Sequence, residues 1–284
     1  MSAGLPAATV ADFYRAACLA ELDALKPGNV HAYAPGHRMV TADFVTSAEV
    51  SAPPLAARGA RVGARVRGGV EATMEAVGQN TNLGILLLCA PLARAAEEDA
   101  PLPDALSSVL AGFDASDASD VFAAIRRANP GGLGQAARHD VTDTAAVPPL
   151  RDAMEEAAPR DRIARAYTDG FADLFAIGLP ALAKARETGL AAPWTTTAVH
   201  LAYLTTVPDS HIARKHGPDR AEAVRAEAAT RLHGLDLAQD TTLAVLLDYD
   251  RALKAAGLNP GTSADFTVAT LFLETLLCAR GEAA

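Results

Sequence analysis

The sequence is poor in aromatic residues. Phe, Trp and Tyr make up 5% of its 284 residues, whereas 50% of the residues are hydrophobic. Alanine and leucine dominate that half, and because both are strong helix formers while strand-favouring residues are scarce, we expect an all-α fold. The length is sufficient for a large buried core. We expect one domain over residues 1–284, a multi-helix bundle with buried central helices.

Positive charge, cysteine and long apolar runs are also scarce. The formal net charge of −9 argues against a protein that binds a nucleic-acid backbone, because such proteins normally carry a basic surface. The three cysteines are widely spaced in apolar surroundings and form no C-x-x-C motif, which indicates reduced core thiols. The N-terminus lacks a basic leader region, and the longest apolar run, residues 83–93, is too short to cross a bilayer. We therefore expect a soluble cytoplasmic protein with no membrane partner.

One stretch organises the rest of the chain. Asn80, Thr81 and Asn82 stand directly before the apolar run that begins at Leu83. Such side chains are good N-caps of a helix, and a cap on a core helix is the simpler interpretation. The alternative is that this buried helix start, with its partial positive charge, binds a phosphate or a metal-bound substrate.

Hydrophobic periodicity and breaker residues predict most of the helices. Pro53-Pro54 is expected to end the second of them, and an arginine stripe at Arg58, Arg61 and Arg65 is expected to be a solvated face. Ser116 and Thr262 are expected to cap helices, the latter in a capping box with Asp265. The predicted helices cover residues 7–25, 42–52, 55–78, 83–97, 102–111, 117–128, 150–157, 160–176, 179–188, 193–206, 218–231, 238–256 and 267–279.

Polar residues concentrate where helices begin or break. The long loop 26–38 carries Lys26, Asn29 and His37, and it is either a solvated loop or part of a site. The break at 208–217 carries Asp209, His211, Arg214 and Lys215, which suit either a metal with its phosphates or an exposed ion-paired turn. Glu71 is either a surface carboxylate or a site residue, and Asp265 either a cap or a carboxylate presented at a buried helix start. Several polar starts of buried helices predict one shared pocket at helix N-termini.

Taken in order, these segments resemble the triphosphoribosyl-dephospho-CoA synthase family over roughly residues 10–280. The matching blocks are Lys26-Pro27-Gly28, Gly36-His37 with Phe44-Val45-Thr46-Ser47, Glu71 with Met74, residues 80–84, Asp209-Ser210-His211 with Lys215-His216-Gly217, and residues 259–265. The order of the blocks is far more specific than any single block.

The resemblance implies an all-α enzyme that uses ATP. In the family reaction the ribose 2′-hydroxyl of dephospho-CoA attacks C1′ of ATP, adenine leaves, and a triphosphoribosyl prosthetic-group precursor forms. It implies Mg²⁺ held by Asp209, Asp265 and Glu71, and proton transfer by His37 or His211, with Asp209 counted among the catalytic residues. The expected substrate and phosphate ligands are Lys26, Asn29, Asn80, Thr81, Asn82, Arg214, Lys215 and Ser263.

The central block departs from the family pattern. The family has Asn-Thr-His-Lys-Gly where this chain has Asn80-Thr81-Asn82-Leu83-Gly84, so a cation and an acid–base group are missing. A phosphate-contacting lysine is not replaced by leucine without a compensating cation nearby. Three alternatives stay open: a divergent enzyme of one-carbon cofactor biosynthesis with another phosphorylated or nucleotide-like substrate, a Mg²⁺-dependent hydrolase, and a non-enzymatic helical binding protein. A homodimer is also left open.

Overall fold

The computed structural model describes residues 4–34, 40–131 and 148–282. These ranges contain helices and no β-strand, so the predicted all-α class is confirmed. A π-helical segment, Leu174–Gly178, precedes the ninth α-helix. The α-helices are α1 (Ala7–Asp23), α2 (Thr41–Leu55), α3 (Val62–Val77), α4 (Leu83–Ala95), α5 (Leu102–Ala111), α6 (Ala115–Ala128), α7 (Leu150–Ala157), α8 (Arg162–Asp169), α9 (Leu179–Glu187), α10 (Ala192–Thr206), α11 (Ser210–His216), α12 (Pro218–Arg231), α13 (Thr241–Ala255) and α14 (Gly261–Ala279).

Helices α4 and α14 form the centre of the larger hydrophobic core. Both are apolar on nearly every side, which is typical of helices surrounded by other helices. They pack against each other and against α1, and most of their side chains are buried. The two helices predicted to be central are therefore central.

A smaller hydrophobic core lies among α10, α11, α12 and α13. Leu204, Ile212, Val224 and Tyr249 belong to it, and Leu25, which follows α1, extends into it. Each core buries its own apolar side chains, as satellite clusters do in larger domains.

Several predicted helix boundaries and caps are wrong. Helix α3 begins at Val62 rather than near residue 55, and the helix predicted over 160–176 ends at Asp169, where Gly170 has a φ of 72°. Helix α2 continues through Pro53 and Pro54 to Leu55, because proline φ fits a helix and these prolines lie in its last turns, after which the N–H of Ala56 bonds the C=O of Ala52 at 3.0 Å. The cap of α6 is Asp114, whose Oδ1 accepts from the N–H groups of Ser116 and Asp117. Helix α14 begins at Gly261 behind Pro260, and no side chain caps it.

The arginine stripe is not uniformly solvated. Arg65 is fully buried, and its guanidinium donates to the C=O of Leu55 at 2.8 Å, the C=O of Ala60 at 2.9 Å and Glu97 Oε1 at 2.5 Å. The periodicity of the helix could not reveal this, because the carbonyls and the carboxylate come from three other segments.

The cysteine and membrane expectations have mixed outcomes. All three cysteines are free thiols, but Cys278 is exposed and so is not a core thiol, since its position near the end of α14 faces outward. Helix α14 is long and apolar enough to cross a membrane by length and composition, and 67% of that apolar window is buried inside the protein.

Candidate active site

A large cavity opens where the two cores meet. Its volume is about 1400 Å³. Its wall comes from the loop after α1, from the segments that begin α4, α8, α11 and α14, and from parts of α6, α7 and α12. Polar helix starts that are far apart in the sequence therefore meet at one cavity.

The segment before α4 lines this cavity and is held by α2. Thr81 Oγ1 lies 2.6 Å from Ser47 Oγ, and the Asn82 amide donates to Ser51 Oγ at 3.2 Å. Asn80 Oδ1 accepts from the N–H of Leu83 at 3.2 Å. The next N–H groups of α4 have no acceptor within the helix, because the first turn of any α-helix leaves them unused. The start of α4 is thus partly capped, with N–H groups remaining beside the cavity.

Asp265 lies in the second turn of α14 and lines the same cavity. A Cβ built on Gly84 would come within 2.0 Å of Asp265 Oδ2, so the carboxylate lies directly against the first turn of α4. No hydrogen bond or ion pair to this carboxylate occurs among residues 4–34, 40–131 and 148–282. Burial, with Asp209 and Glu21 nearby, raises the pKa of Asp265 well above its usual range. The expected capping box is wrong, because Asp265 caps nothing.

Asp209 is the N-cap of α11, as predicted, and its carboxylate is fully occupied within the chain. Oδ1 accepts from the N–H groups of His211 and Ile212 at 2.9 and 3.1 Å, and Oδ2 from the N–H and Oγ of Ser263 at 2.8 and 2.9 Å. Burial raises the pKa of Asp209 although these donors act in the opposite direction. Asp209 and Ser263 join α11 to α14 beneath the cavity and are not among its lining residues.

Helix α11 presents His211, Arg214 and Lys215 to the cavity. Arg214 Nη1 donates to Asp161 Oδ2 at 2.6 Å, while Lys215 is exposed. The ring of His211 lies against Gly261, where an added Cβ would be 2.9 Å from Nδ1. All three residues are therefore close to the candidate substrate space.

Lys26 is fully buried and does not line the cavity. Its ammonium lies 2.7 Å from Glu21 Oε1, and it also donates to the C=O of Glu21 at 2.9 Å and of Val30 at 2.7 Å. These bonds use all of its donors, so its expected phosphate contact would require the loop to rearrange. Burial lowers the pKa of Lys26, and Glu21 opposes that shift.

The loop after Lys26 reaches the cavity through Asn29, whose amide donates to Asn259 Oδ1 at 2.8 Å. Helix α13 anchors this loop from below: Asp250 accepts from the N–H of Gly28 at 2.9 Å and pairs with His31 at 3.3 Å. Asn29 is thus fixed in position by contacts more than 200 residues away in the sequence.

Glu71 is placed away from the cavity. Its side chain is half exposed and pairs with Arg67 at 2.7 Å on the surface of α3. Met74, one turn further along, does line the cavity. His37 lies outside the described residues.

Sequence reasoning missed several residues of the cavity wall. Helical periodicity places Glu21 in a helix and predicts nothing more for it; the signal for a site residue is a carboxylate on the buried face of α1. The sequence predicts only helix at the start of α8, whereas the structure brings three arginines and Asp161 to the cavity there. The missed charged lining residues are Glu21, Glu156, Arg160, Asp161, Arg162, Arg165, Asp219 and Glu222.

The contacts of these α8 residues show which charges are already paired. Asp161 caps α8, while Arg162 binds Asp173, with Nε 2.9 Å from Oδ2. Arg160 donates to the C=O of Glu156 at 3.0 Å, and Arg165 pairs with Asp169 at 3.3 Å. In the described part of the chain the wall is mixed in charge rather than cationic: it carries five cations (Arg160, Arg162, Arg165, Arg214 and Lys215) and six carboxylates (Glu21, Glu156, Asp161, Asp219, Glu222 and Asp265). Among the described residues, no group of three His, Cys, Asp or Glu side chains is arranged to hold a metal ion.

The fold and cavity define an all-α protein with a large charged site for small molecules. Residues 7–283 match the model of the ATP:dephospho-CoA triphosphoribosyl transferase (CitG) family. The chain belongs to that family, and it is a triphosphoribosyl-dephospho-CoA synthase-type transferase of cofactor biosynthesis. The family acts on ATP and dephospho-CoA.

A solved structure shares the fold. It is an Archaeoglobus fulgidus protein provisionally assigned as a triphosphoribosyl-dephospho-CoA synthase, with a TM-score of 0.59 and 22% identity over 84% of this chain and 99% of that one. No curated protein matches the sequence.

Proposed function

We propose that the chain is a Mg²⁺-dependent transferase that moves the triphosphoribosyl group of ATP to the 2′-hydroxyl of a dephospho-CoA-like acceptor and releases adenine. The observation that carries this proposal is the cavity of about 1400 Å³ with both a buried carboxylate and several cations in its wall. Ordinary ligand pockets span about 300–1,000 Å³. The additional space suits two nucleotides bound side by side.

The start of α4 is the proposed site of the triphosphate. Unused N–H groups and the helix dipole favour an anion there, and Asn80, Thr81 and Asn82 surround the position. The carboxylate of Asp265 lies against the same turn. Burial raises the pKa of Asp265, so its carboxylate becomes an anion beside a triphosphate only when a cation lies between the two, which is the argument for Mg²⁺.

The residues present fit a Mg²⁺ ion that arrives with ATP. Such ions are typically bound by one or two carboxylates together with substrate phosphates and water. Asp265 supplies one carboxylate, whereas Asp209 is fully hydrogen-bonded and Glu71 is at the surface. Bound there, Mg²⁺ would neutralise charge on the triphosphate while the C1′–N9 bond breaks.

The cations at the start of α8 and on α11 compensate for the lysine that Leu83 replaces. Arg160, Arg162, Arg165 and Lys215 line the same cavity as Leu83 and supply the positive charge that the family's lysine would have carried. These side chains suit the diphosphate of the acceptor. This supports a dephospho-CoA-like acceptor over a substrate without phosphate.

The direct test is adenine release from Mg-ATP, followed by chromatography with and without dephospho-CoA. We expect adenine only when both substrates and Mg²⁺ are present, a triphosphoribosylated product by mass, and loss of both with EDTA. Asp265→Asn should lower the rate by at least about 100-fold. Adenine formed without acceptor would instead support the hydrolase, and no Mg-ATP binding at all would support the non-enzymatic binding protein.

Glu98→Gln is the matched control for the charge removed in Asp265→Asn. Glu98 is half exposed just after the far end of α4 and pairs there with Arg94. Its variant should keep wild-type adenine release. The homodimer and the cytoplasmic location stay predictions.

A further inference from the structure

We infer that Glu21 is the general base that takes the proton from the attacking 2′-hydroxyl. This inference rests on the proposed function, because it assigns a residue to that reaction. Glu21 lies in the last turn of α1, lines the cavity, and is 5% exposed.

The contacts of Glu21 hold its carboxylate in one orientation. Lys26 binds Oε1 at 2.7 Å and is itself fixed by the carbonyls of Glu21 and Val30. In the described part of the chain, Oε2 has no hydrogen-bond partner. A base whose geometry is fixed before the substrate binds loses less entropy when the reaction occurs.

The other carboxylates of the cavity have different tasks. Asp265 lies against the start of α4, where the triphosphate is proposed, and Asp161 caps α8 while it pairs with Arg214. Glu222 pairs with Arg225 at the surface, Asp219 is exposed on α12, and Glu156 is only half-buried on α7. Glu21 is thus the deeply buried cavity carboxylate available to the acceptor hydroxyl.

The environment of Glu21 also suits a base that works near neutral pH. Burial raises the pKa of Glu21, and Lys26 opposes that shift. General bases are most effective when their pKa is near the working pH.

The step balances as a group transfer. The O2′–C1′ bond forms as the C1′–N9 bond of ATP breaks, and adenine leaves with the electron pair of that bond. The hydroxyl proton passes to the Glu21 carboxylate, and adenine takes a proton from water. Glu21 then returns its proton to water, so the enzyme is restored and no oxidant or reductant is needed.

Glu21→Gln tests the assignment, because glutamine keeps the size of the side chain and an acceptor for Lys26 but cannot take up a proton. We expect kcat for acceptor-dependent adenine release to fall by about 10²–10⁴-fold, with the Kd of Mg-ATP by calorimetry nearly unchanged. Glu49→Gln is the matched control, because Glu49 is exposed on α2, and it should keep the wild-type kcat.

Glu21→Asp is the second variant, should the glutamine variant fail to fold. It keeps the charge beside Lys26 but withdraws the carboxylate by one methylene, and kcat should fall at least about tenfold with Mg-ATP binding intact. Wild-type activity in a folded variant at position 21 overturns this inference alone. A wild-type protein that releases no adenine with dephospho-CoA overturns the proposed function and the inference with it.

Discussion

At the scale of single residues, two aspartates that look alike in the sequence have different surroundings. Asp209 and Asp265 each follow a chain break, and each was expected to hold a metal. Asp209 receives four hydrogen bonds from α11 and Ser263, whereas Asp265 faces the cavity against Gly84. Local sequence could not distinguish them, because the donors that occupy Asp209 include a residue more than 50 positions away.

Asp209→Ala should destabilise the protein by about 2–4 kcal/mol, because it leaves buried N–H groups of α11 and α14 without an acceptor. Chemical denaturation measures this loss, and Glu227→Ala, at an exposed residue of α12 away from the cavity wall, is the comparison. Unchanged stability together with lost adenine release would make Asp209 a site residue rather than a structural one.

Asp265→Asn should stabilise the protein, and more so at pH 8 than at pH 4–5. The folded-state pKa of Asp265 lies well above its unfolded value, so the folded chain holds a proton that the unfolded chain has released. The contribution of Asp265 to the free energy of unfolding is therefore fully present at low pH. It is lost as the pH rises through the folded-state pKa. Asparagine does not titrate, so the Asp265→Asn variant does not lose this free energy as the pH rises.

Thermal unfolding of wild type and Asp265→Asn across pH 4–8 tests this prediction. The difference in Tm should grow with pH, while adenine release is lost at every pH. A difference in Tm that stays constant across the range would show that Asp265 titrates alike in the folded and unfolded chain.

At the scale of elements, the helices were more predictable than their contacts. The bounds of α5, α7 and α12 follow from local periodicity and match the structure. The buried Arg65 and the start of α14 did not follow, because the first depends on carbonyls of other segments and the second on packing that overrides the capping signal at Thr262. A capping motif indicates where a helix would begin on local grounds, and tertiary packing can shift that start.

Helices α4 and α14 approach each other closely where Gly84 lies against Asp265. In Gly84→Ala the new Cβ meets the end of the Asp265 side chain, 2.0 Å from Oδ2 and 2.6 Å from Cγ, so the carboxylate must move. Alanine favours the helix by about 1 kcal/mol, which offsets part of the strain. We expect near wild-type stability but adenine release reduced by about 100-fold.

Gly112→Ala is the matched control for this substitution. Its Cβ would meet the Ser108 carbonyl oxygen at 3.2 Å on the exposed end of α5, far from the cavity residues. Adenine release that survives in Gly84→Ala would mean that the place of Asp265 against α4 is unimportant for the reaction.

At the scale of the whole molecule, the cavity is the feature that the sequence indicated least directly. Polar helix starts predicted that some pocket would form, and the starts of α4, α11 and α14 do meet there. The contribution of α8 and Glu21 could not be predicted, because periodicity gives the buried face of a helix but not what faces it. Arg214–Asp161 and the N–H of Arg162 to Ser210 Oγ then connect the two cores across the cavity wall.

Substrate binding should therefore couple the two cores. Without substrates, amides of α11 and α12 should exchange hydrogen faster than those of α4 and α14, because the smaller core offers fewer buried apolar contacts to hold them. Mg-ATP with dephospho-CoA contacts walls from both cores, so exchange in α11 and in the first turn of α8 should slow. Helix α5, which contributes no residue to the cavity wall, should change little. Protection of equal size in α5 and α11 would instead show a global stabilisation with no closure of the two cores around the substrates.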